Sequence, residues 1–477
     1  MSCLETDAIL AGAAETDITP EKGIHLAGDL LMYRPMETVN DSIYAEALVL
    51  KNRERTLCIL SMDVLSVNDA MTRQIRQSIR DAYGMEFADI MVHATQNHAA
   101  PAVGNFHLRD DNAIVSDAFF YLRGGDKRYE AYVIPKVLSA VGMALDSACP
   151  VQWAAGRTVE GRIAFNRRYI LRDGSVRVFA RGIDYDQVQY VEGPMDPEVG
   201  VLAFKGINSN FFASVLHYTC HPVHGYPGRA VTAGWPGTWR SRLKILHGSE
   251  SRFLVLNGCC GNISHADSFQ DEPEIPVERM GQLLTAAASR VYEKLQYRNG
   301  AVLDSRSRTV RIPRPMIPLE QLTRARAIIQ EHPEPFFQDR AKRQVAWDWV
   351  HAAGILDLHE EMETNPYYDY EIQAFRIGST AILALTGEPF VEAQLRIKME
   401  AHSLYTYVAH MSNGYVGYIP TREAYGRQGF YRMGAGTLIQ RGANWYRLAP
   451  EALDIIMDSS LALISEMFPQ RMERTFE

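Results

Sequence analysis

The sequence predicts an α/β protein, one large domain with mixed β-sheets flanked by helices. Three observations carry that expectation. Apolar runs of strand length recur at 44–50, 56–62, 90–93, 211–221, 252–256, 370–375, 380–385 and 406–410. Between several of them lie stretches with helical periodicity, such as Met71, Ile75, Ile79 and Ala82 on one face with arginines on the other. Many of the runs end directly in loops of glycine, proline, histidine or asparagine, where α/β proteins place their chemistry.

The bulk numbers bound the answer. The chain has 477 residues, 47% hydrophobic and 22% charged, an ordinary globular balance. Length alone allows roughly three domains, but no internal repeat or low-complexity linker divides the chain, so 1–477 is read as a single domain. A net charge of −8 argues against nucleic acid as partner. No run of about 18 apolar residues appears, so no membrane insertion is expected. The first residues carry Glu5 and Asp7 and no basic segment, unlike a secretory leader. Six cysteines form no CxxC pair, and vicinal Cys259 and Cys260 read as buried free thiols beside a glycine turn. A reduced, cytoplasmic setting fits this usage. The oligomeric state is not legible.

Taken in order, residues 8–20 form a short apolar strand and an Asp-Ile-Thr-Pro turn. Two strands, 44–50 and 56–62, flank a charged connection. The helix at 69–83 leads to the strand at 90–93. There follows Ala94-Thr95-Gln96-Asn97-His98-Ala99-Ala100-Pro101, where small residues beside a histidine leave room for a ligand and proline fixes the exit. Residues 105–130 are irregular, a substrate-facing loop or a surface excursion. A helix follows at 129–145, then Arg162, Asn166, Arg167 and Arg168, an anion-binding cluster or a solvated edge. In the strand at 211–221, His217 and His221 share a face at period 2, and His224 lies just beyond Pro222. Three histidines in eight residues are either metal ligands or a polar core layer.

The strand at 252–256 runs into Asn257-Gly258-Cys259-Cys260-Gly261-Asn262-Ile263-Ser264-His265, whose glycines permit close backbone approach and whose amides could face an oxyanion. It is not the G-x-S-x-G elbow. A long amphipathic helix spans 276–295. A helical segment at about 318–360 is broken at His332-Pro333-Glu334-Pro335. The strand at 380–385 ends in Thr386-Gly387-Glu388-Pro389; a glutamate between glycine and proline is not a surface-helix residue. Asn413-Gly414-Tyr415-Val416-Gly417-Tyr418 forms a glycine-tyrosine loop, with Tyr431 beyond it. The closing helix is expected at about 450–467.

Several of these stretches together resemble the catalytic N-terminal domain of the neutral/alkaline, non-lysosomal ceramidase family. They are the 8–20 strand and turn, Ala94 to Pro101, Cys220-His221-Pro222, Gly261-Asn262-Ile263-Ser264, Thr386-Gly387-Glu388-Pro389 and Gly417-Tyr418-Ile419-Pro420-Thr421. They keep the family's order over residues 8–431. The resemblance implies a ceramidase-like α/β fold and a catalytic Zn2+ held by two histidines, a glutamate and a tyrosine. His221, Glu388 and Tyr418 take three of those roles, and Gln96 stands where the other histidine is expected. It implies His98 facing substrate as a catalytic residue, Ser264 as nucleophile or site lining, and Asn166, Arg167, Asn262 and Tyr431 as substrate contacts.

A glutamine oxygen is a neutral, harder donor than imidazole and binds zinc more weakly. Three outcomes stay open: Gln96 ligates, favouring an ion such as Mn2+; His217, His224 or His98 substitutes; or no metal is bound. The family's extra C-terminal β-sandwich is not expected here. The reading is a divergent, cytoplasmic hydrolase that cleaves an amide bond in a small polar metabolite through a metal-activated water. Alternatives are a metal-independent hydrolase, for example a glycosidase pairing Glu388 with Asp267 or Glu423, and a binding protein with a decayed site.

Overall fold

Alternate residues of the central strands point into two different apolar layers, and this sets the architecture. In the Thr56–Met62 strand, Leu57 and Ile59 join one cluster while Cys58, Leu60 and Met62 join another. The Arg252–Asn257 strand likewise sends Leu254 and Leu256 one way, Phe253 and Val255 the other. Strands buried on both faces read as continuous apolar runs, which is why they stand out in the sequence. The computed structural model describes residues 8–472 except 180–184, 271, 340, 342, 428–429, 434–436 and 441–445, and for 430–433 and 437–440 the backbone alone.

Among the described residues the larger sheet has nine strands, eight along one path and the ninth, Arg298–Asn299, pairing with Cys149–Val159 off it. Its path runs Arg252–Asn257, Phe212–Tyr218, Glu198–Gly206, Cys149–Val159, Ile9–Asp17, Tyr44–Lys51, Thr56–Met62, Ile90–Ala94. The pairs at its two ends are parallel and those between are antiparallel. A second sheet of four strands runs Leu303–Pro313, Tyr367–Ile377, Thr380–Leu385, Tyr405–Ala409, its last pair parallel. The inner faces share one core, where Leu48, Ile59, Leu202 and Leu254 meet Phe375, Ile382 and Tyr407. Helices Asp69–Tyr83 and Lys127–Asp146 cover one half of the large sheet's outer face. Helices Gly234–His247 and Val277–Tyr292 cover the other half. Val391–Glu400 and Ala452–Met467 cover the small sheet. This is the expected mixed α/β class, in four layers.

Three long strands depart from the sequence reading. Cys149–Val159 carries Pro150 and Gly156, and Glu198–Gly206 carries Gly200, residues that usually interrupt a strand. Gly200 is required by packing: a Cβ there would stand 2.4 Å from a ring carbon of Tyr407. Leu303–Pro313 alternates serine and arginine at a sheet edge and pairs along its whole length with Tyr367–Ile377. The 318–360 segment resolves into helices Leu319–Glu331 and Trp347–Thr364, joined through a small hairpin.

The loops after the strands ending at Ala94, Tyr218, Asn257, Leu385 and Ala409 are stitched together by the backbone. Ala94 N–H donates to Met411 O at 3.1 Å, Met411 N–H to Gly387 O at 3.1 Å, His410 N–H to Asn257 O at 3.1 Å, and Gly258 N–H to Tyr218 O at 2.9 Å. Asn257, fully buried, is the hub. Its Nδ2 donates to Thr95 O and Cys220 O, each at 3.1 Å, and its Oδ1 accepts from Cys220 N–H at 3.2 Å. Asn257→Ala removes the side-chain partner of Cys220 N–H and of Thr95 O, while Cys220 O keeps Trp235 Nε1 as donor. Urea unfolding is expected to show a loss of about 2–4 kcal/mol.

Candidate functional site

These joined loops place Gln96, His98, His221, Glu388, Tyr415, Tyr418 and Arg167 in one buried cluster. His98 is half-buried; the others, apart from the partly buried Tyr415, are almost wholly enclosed. The two imidazoles face each other, with Nε2 to Nε2 at 3.0 Å and ring centroids 4.9 Å apart. Each ring is held from behind by a carbonyl: His98 Nδ1 lies 3.2 Å from Gly28 O, and His221 Nδ1 lies 3.2 Å from Cys260 O. A Cβ on Gly28 would stand 2.6 Å from His98 Nδ1, so only glycine lets this backbone back the ring. Arg34 steadies the same wall, donating through Nη1 to Ala27 O at 2.7 Å and His98 O at 3.1 Å.

Glu388 is held by a two-residue parallel bridge to Tyr418 and Ile419. Tyr415 donates its hydroxyl to Glu388 Oε1 at 2.9 Å. Oε2 has no hydrogen bond of good geometry and lies 4.0 Å from His221 Nε2. Burial pushes the Glu388 carboxyl above its ordinary value, with Arg167 and the nearby Tyr415, Tyr418 and Gln96 side chains offsetting part of that cost. Burial holds His221 well below the usual imidazole value, and the charge of Arg167 lowers it further. Arg167 donates from Nη2 to Gly261 O at 2.7 Å and to the Tyr418 hydroxyl at 3.1 Å.

Gln96 occupies the left-handed region with φ of 68°, uncommon for a residue with a side chain. Its Oε1 accepts from the Cys260 thiol at 3.1 Å. Cys260 also lies 3.7 Å from His221 Nδ1 and 3.5 Å from His410 Nε2, and burial raises its thiol well above the ordinary range. It is a packed thiol, not a nucleophile at neutral pH. Among the described residues Cys58, Cys149, Cys220, Cys259 and Cys260 are all free.

The other sequence candidates make contacts of their own within the fold. Asn166 spends Nδ2 on Pro194 O at 3.0 Å and Oδ1 on Arg168 N–H at 3.0 Å. Asn262 accepts from Val391 N–H at 2.9 Å and donates to Glu392 at 3.0 Å, tying down the start of the 391–400 helix. Ser264 is buried, its Oγ accepting from Ala266 N–H at 3.3 Å. The side chain of Tyr431 lies outside the described residues. In the glycine loop, the amides of Gly258, Cys259, Gly261 and Ile263 already donate within the fold. Of the arginine run only Arg167 reaches the cluster; Arg162 pairs with Glu160 and Arg168 with Glu192. Asp267 accepts from Phe269 N–H and the Gln270 amide in its own turn, and Glu423 is exposed on a short helix. Tyr415, Arg34 and the thiol of Cys260 escape the sequence: Tyr415 meets Glu388 across 27 residues, Cys260 meets Gln96 across 164, and Arg34 serves backbone carbonyls.

The donor chemistry suits a divalent cation. Two imidazole nitrogens and a buried carboxylate are groups that zinc accepts. Among the described residues no three His, Cys, Asp or Glu side chains already stand in ligating geometry. The charge of Arg167 works against a cation, and Glu388 offsets it.

No protein-family model and no curated protein matches the chain. Among solved structures, a ceramidase complexed with C2 superposes with a TM-score of 0.69 at 16% identity, over 99% of this chain and 77% of that one. The neutral ceramidase from Pseudomonas aeruginosa superposes with a TM-score of 0.68 at 17% identity, over 99% and 76%. The likeness is one of architecture, and it shows that this chain has a ceramidase-like mixed α/β fold.

Proposed function

We propose that the protein is a hydrolase of amide (C–N) bonds in a small polar molecule, dependent on a divalent cation held at His221 and Glu388, with Tyr418 beside them. The observation that carries this reading is the meeting of facing imidazoles, a buried carboxylate and a guanidinium where the loops of this fold converge. Zinc is the first choice, manganese the second. Such an ion supplies a bound water of lowered pKa and a Lewis acid toward the carbonyl.

The chain's own groups do the rest. Tyr415 fixes the Glu388 carboxylate in place. The Cys260 carbonyl orients the His221 ring, leaving its Nε2 toward the cluster. Arg167 sits 3.1 Å from the Tyr418 hydroxyl, placed to stabilise negative charge growing on the substrate oxygen in a water-poor site. The polar lining, including Tyr226 donating to Asp29 at 2.8 Å beside His98, favours a polar substrate over a long acyl chain. No described helix is long and apolar enough to cross a membrane.

The test is a screen of small N-acyl compounds with purified protein, its metal content measured in parallel. Amine and carboxylate are expected in equal amounts. Chelation should lower the rate on the order of a hundredfold or more, and zinc or manganese should restore it. Turnover of glycosides but of no amide, unaffected by chelation, would overturn the reading in favour of carboxylate-pair chemistry.

A further inference from the structure

We infer that His98, not Gln96, supplies the second imidazole of the cation site, opposite His221. The inference rests on the cation-dependent reading above and changes which side chains build the site.

Counting protons carries the argument. A carbonyl oxygen only accepts, so the contacts of His98 Nδ1 to Gly28 O and of His221 Nδ1 to Cys260 O put a hydrogen on each Nδ1. Neutral rings then carry a lone pair, not a hydrogen, on Nε2. Those lone pairs confront each other across 3.0 Å. Two lone pairs repel at that distance unless a proton or a cation lies between them. A cation satisfies both nitrogens at once. Two bonds of about 2.05 Å at a tetrahedral angle set ligand nitrogens roughly 3.3 Å apart, a few tenths of an ångström from what is seen. An Nδ1 donating to a backbone carbonyl is also how metal-bound histidines are held, and both rings have it.

The competitors are committed elsewhere. Gln96 gives its oxygen to the Cys260 thiol at 3.1 Å. His217 contacts Val408 O through Nε2 at 3.1 Å and stacks on Tyr407 between the sheets. His224 contacts Ile275 O through Nε2 at 3.0 Å and stacks on His265. His98 alone among these faces His221. Gly28 and Arg34 hold it there.

The experiment titrates metal-free full-length protein with Co2+, reading stoichiometry by dialysis and ligand geometry by visible absorption. The parent is expected to take one ion, and Gln96→Ala to bind within a few-fold of it. His98→Ala should weaken binding by at least about a hundredfold, the upper end of what losing even a supporting partner costs. His98→Cys, which keeps a ligand, should recover uptake and add a sulfur-to-cobalt charge-transfer band. Loss of binding in Gln96→Ala with full binding in His98→Ala overturns the assignment but leaves the cation reading standing. Cobalt bound to His98→Cys without the sulfur band overturns the assignment as well. Absence of uptake by the parent overturns the cation reading and this inference with it.

Discussion

Glu388→Gln is expected to lower kcat/KM by roughly 10²–10³-fold, the scale on which one preorganised electrostatic group counts in a water-excluded site, while the metal-free fold becomes no less stable. The two effects have one cause. Glu388 is enclosed, its carboxyl is raised above the ordinary value by burial, and Oε2 has no hydrogen bond of good geometry. A carboxyl whose folded pKa is raised weakens the fold at every pH above its unfolded value. Holding it ionised is therefore a standing cost at neutral pH. Glutamine keeps the shape and can still accept from Tyr415 through its oxygen, but removes the charge and the cost. The same change removes the carboxylate set against His221 Nε2. Steady-state kinetics on the amide found in the screen, beside urea unfolding of chelated protein, checks both halves. A large loss of stability in the variant would mean that Glu388 is a structural anchor and not a functional group.

The positions of this site were legible in the sequence because each follows a strand buried on both faces. Such strands show as plain apolar runs, and the polar residues that close them stand out. His221 and Glu388 are of this kind, while Tyr418 lies farther along its loop, opposite Glu388. What local pattern could not show is how those loop ends engage one another. The direction of His98, toward His221 rather than outward, is set by a carbonyl from Gly28, 70 residues away. The occupation of Gln96 by Cys260 joins residues 164 apart. Asn166 and Asn262 read as site residues by neighbourhood, and their amides engage Pro194 and Glu392, partners that no local pattern names. The fold shows the same limit. Pro150, Gly156 and Gly200 break the local signal of two central strands, because neighbours such as Tyr407 need the space that glycine leaves. The edge strand Leu303–Pro313 is too polar to announce itself. Its identity comes from pairing with Tyr367–Ile377, a tertiary fact.

Arg240→Met should cost about 3–5 kcal/mol at neutral pH, the usual penalty for removing one partner of a buried ion pair. Arg240 enters from the 234–247 helix and lies beneath the nine-stranded sheet with Asp63 and Glu46, all almost fully buried. Its Nη1 donates to Asp63 Oδ1 at 2.8 Å, Nη2 bonds Oδ2, and Nε stands 3.0 Å from Glu46 Oε1. Burial works against the guanidinium, yet the two carboxylates keep its pKa above the ordinary value. Glu46 depends on it more. Burial pushes that carboxyl well above its ordinary value, Arg240 is the largest influence drawing it back, and neither oxygen has a well-formed hydrogen bond. Methionine keeps most of the volume and leaves two enclosed carboxylates without a cation. The pH dependence follows in sign. A carboxyl with a raised folded pKa takes up a proton on folding, so its burden is absent below the unfolded value of about 4.3 and grows as pH rises through the folded value, by about 1.4 kcal/mol per unit per proton. The deficit against the parent should therefore be smallest near pH 4.5 and widen toward pH 8, read from urea midpoints across that range. Replacing Glu46 by Gln in the same chain should recover part of the loss at pH 8 and little at pH 4.5. A deficit independent of pH would show that lost packing, and not the unpaired carboxylates, dominates.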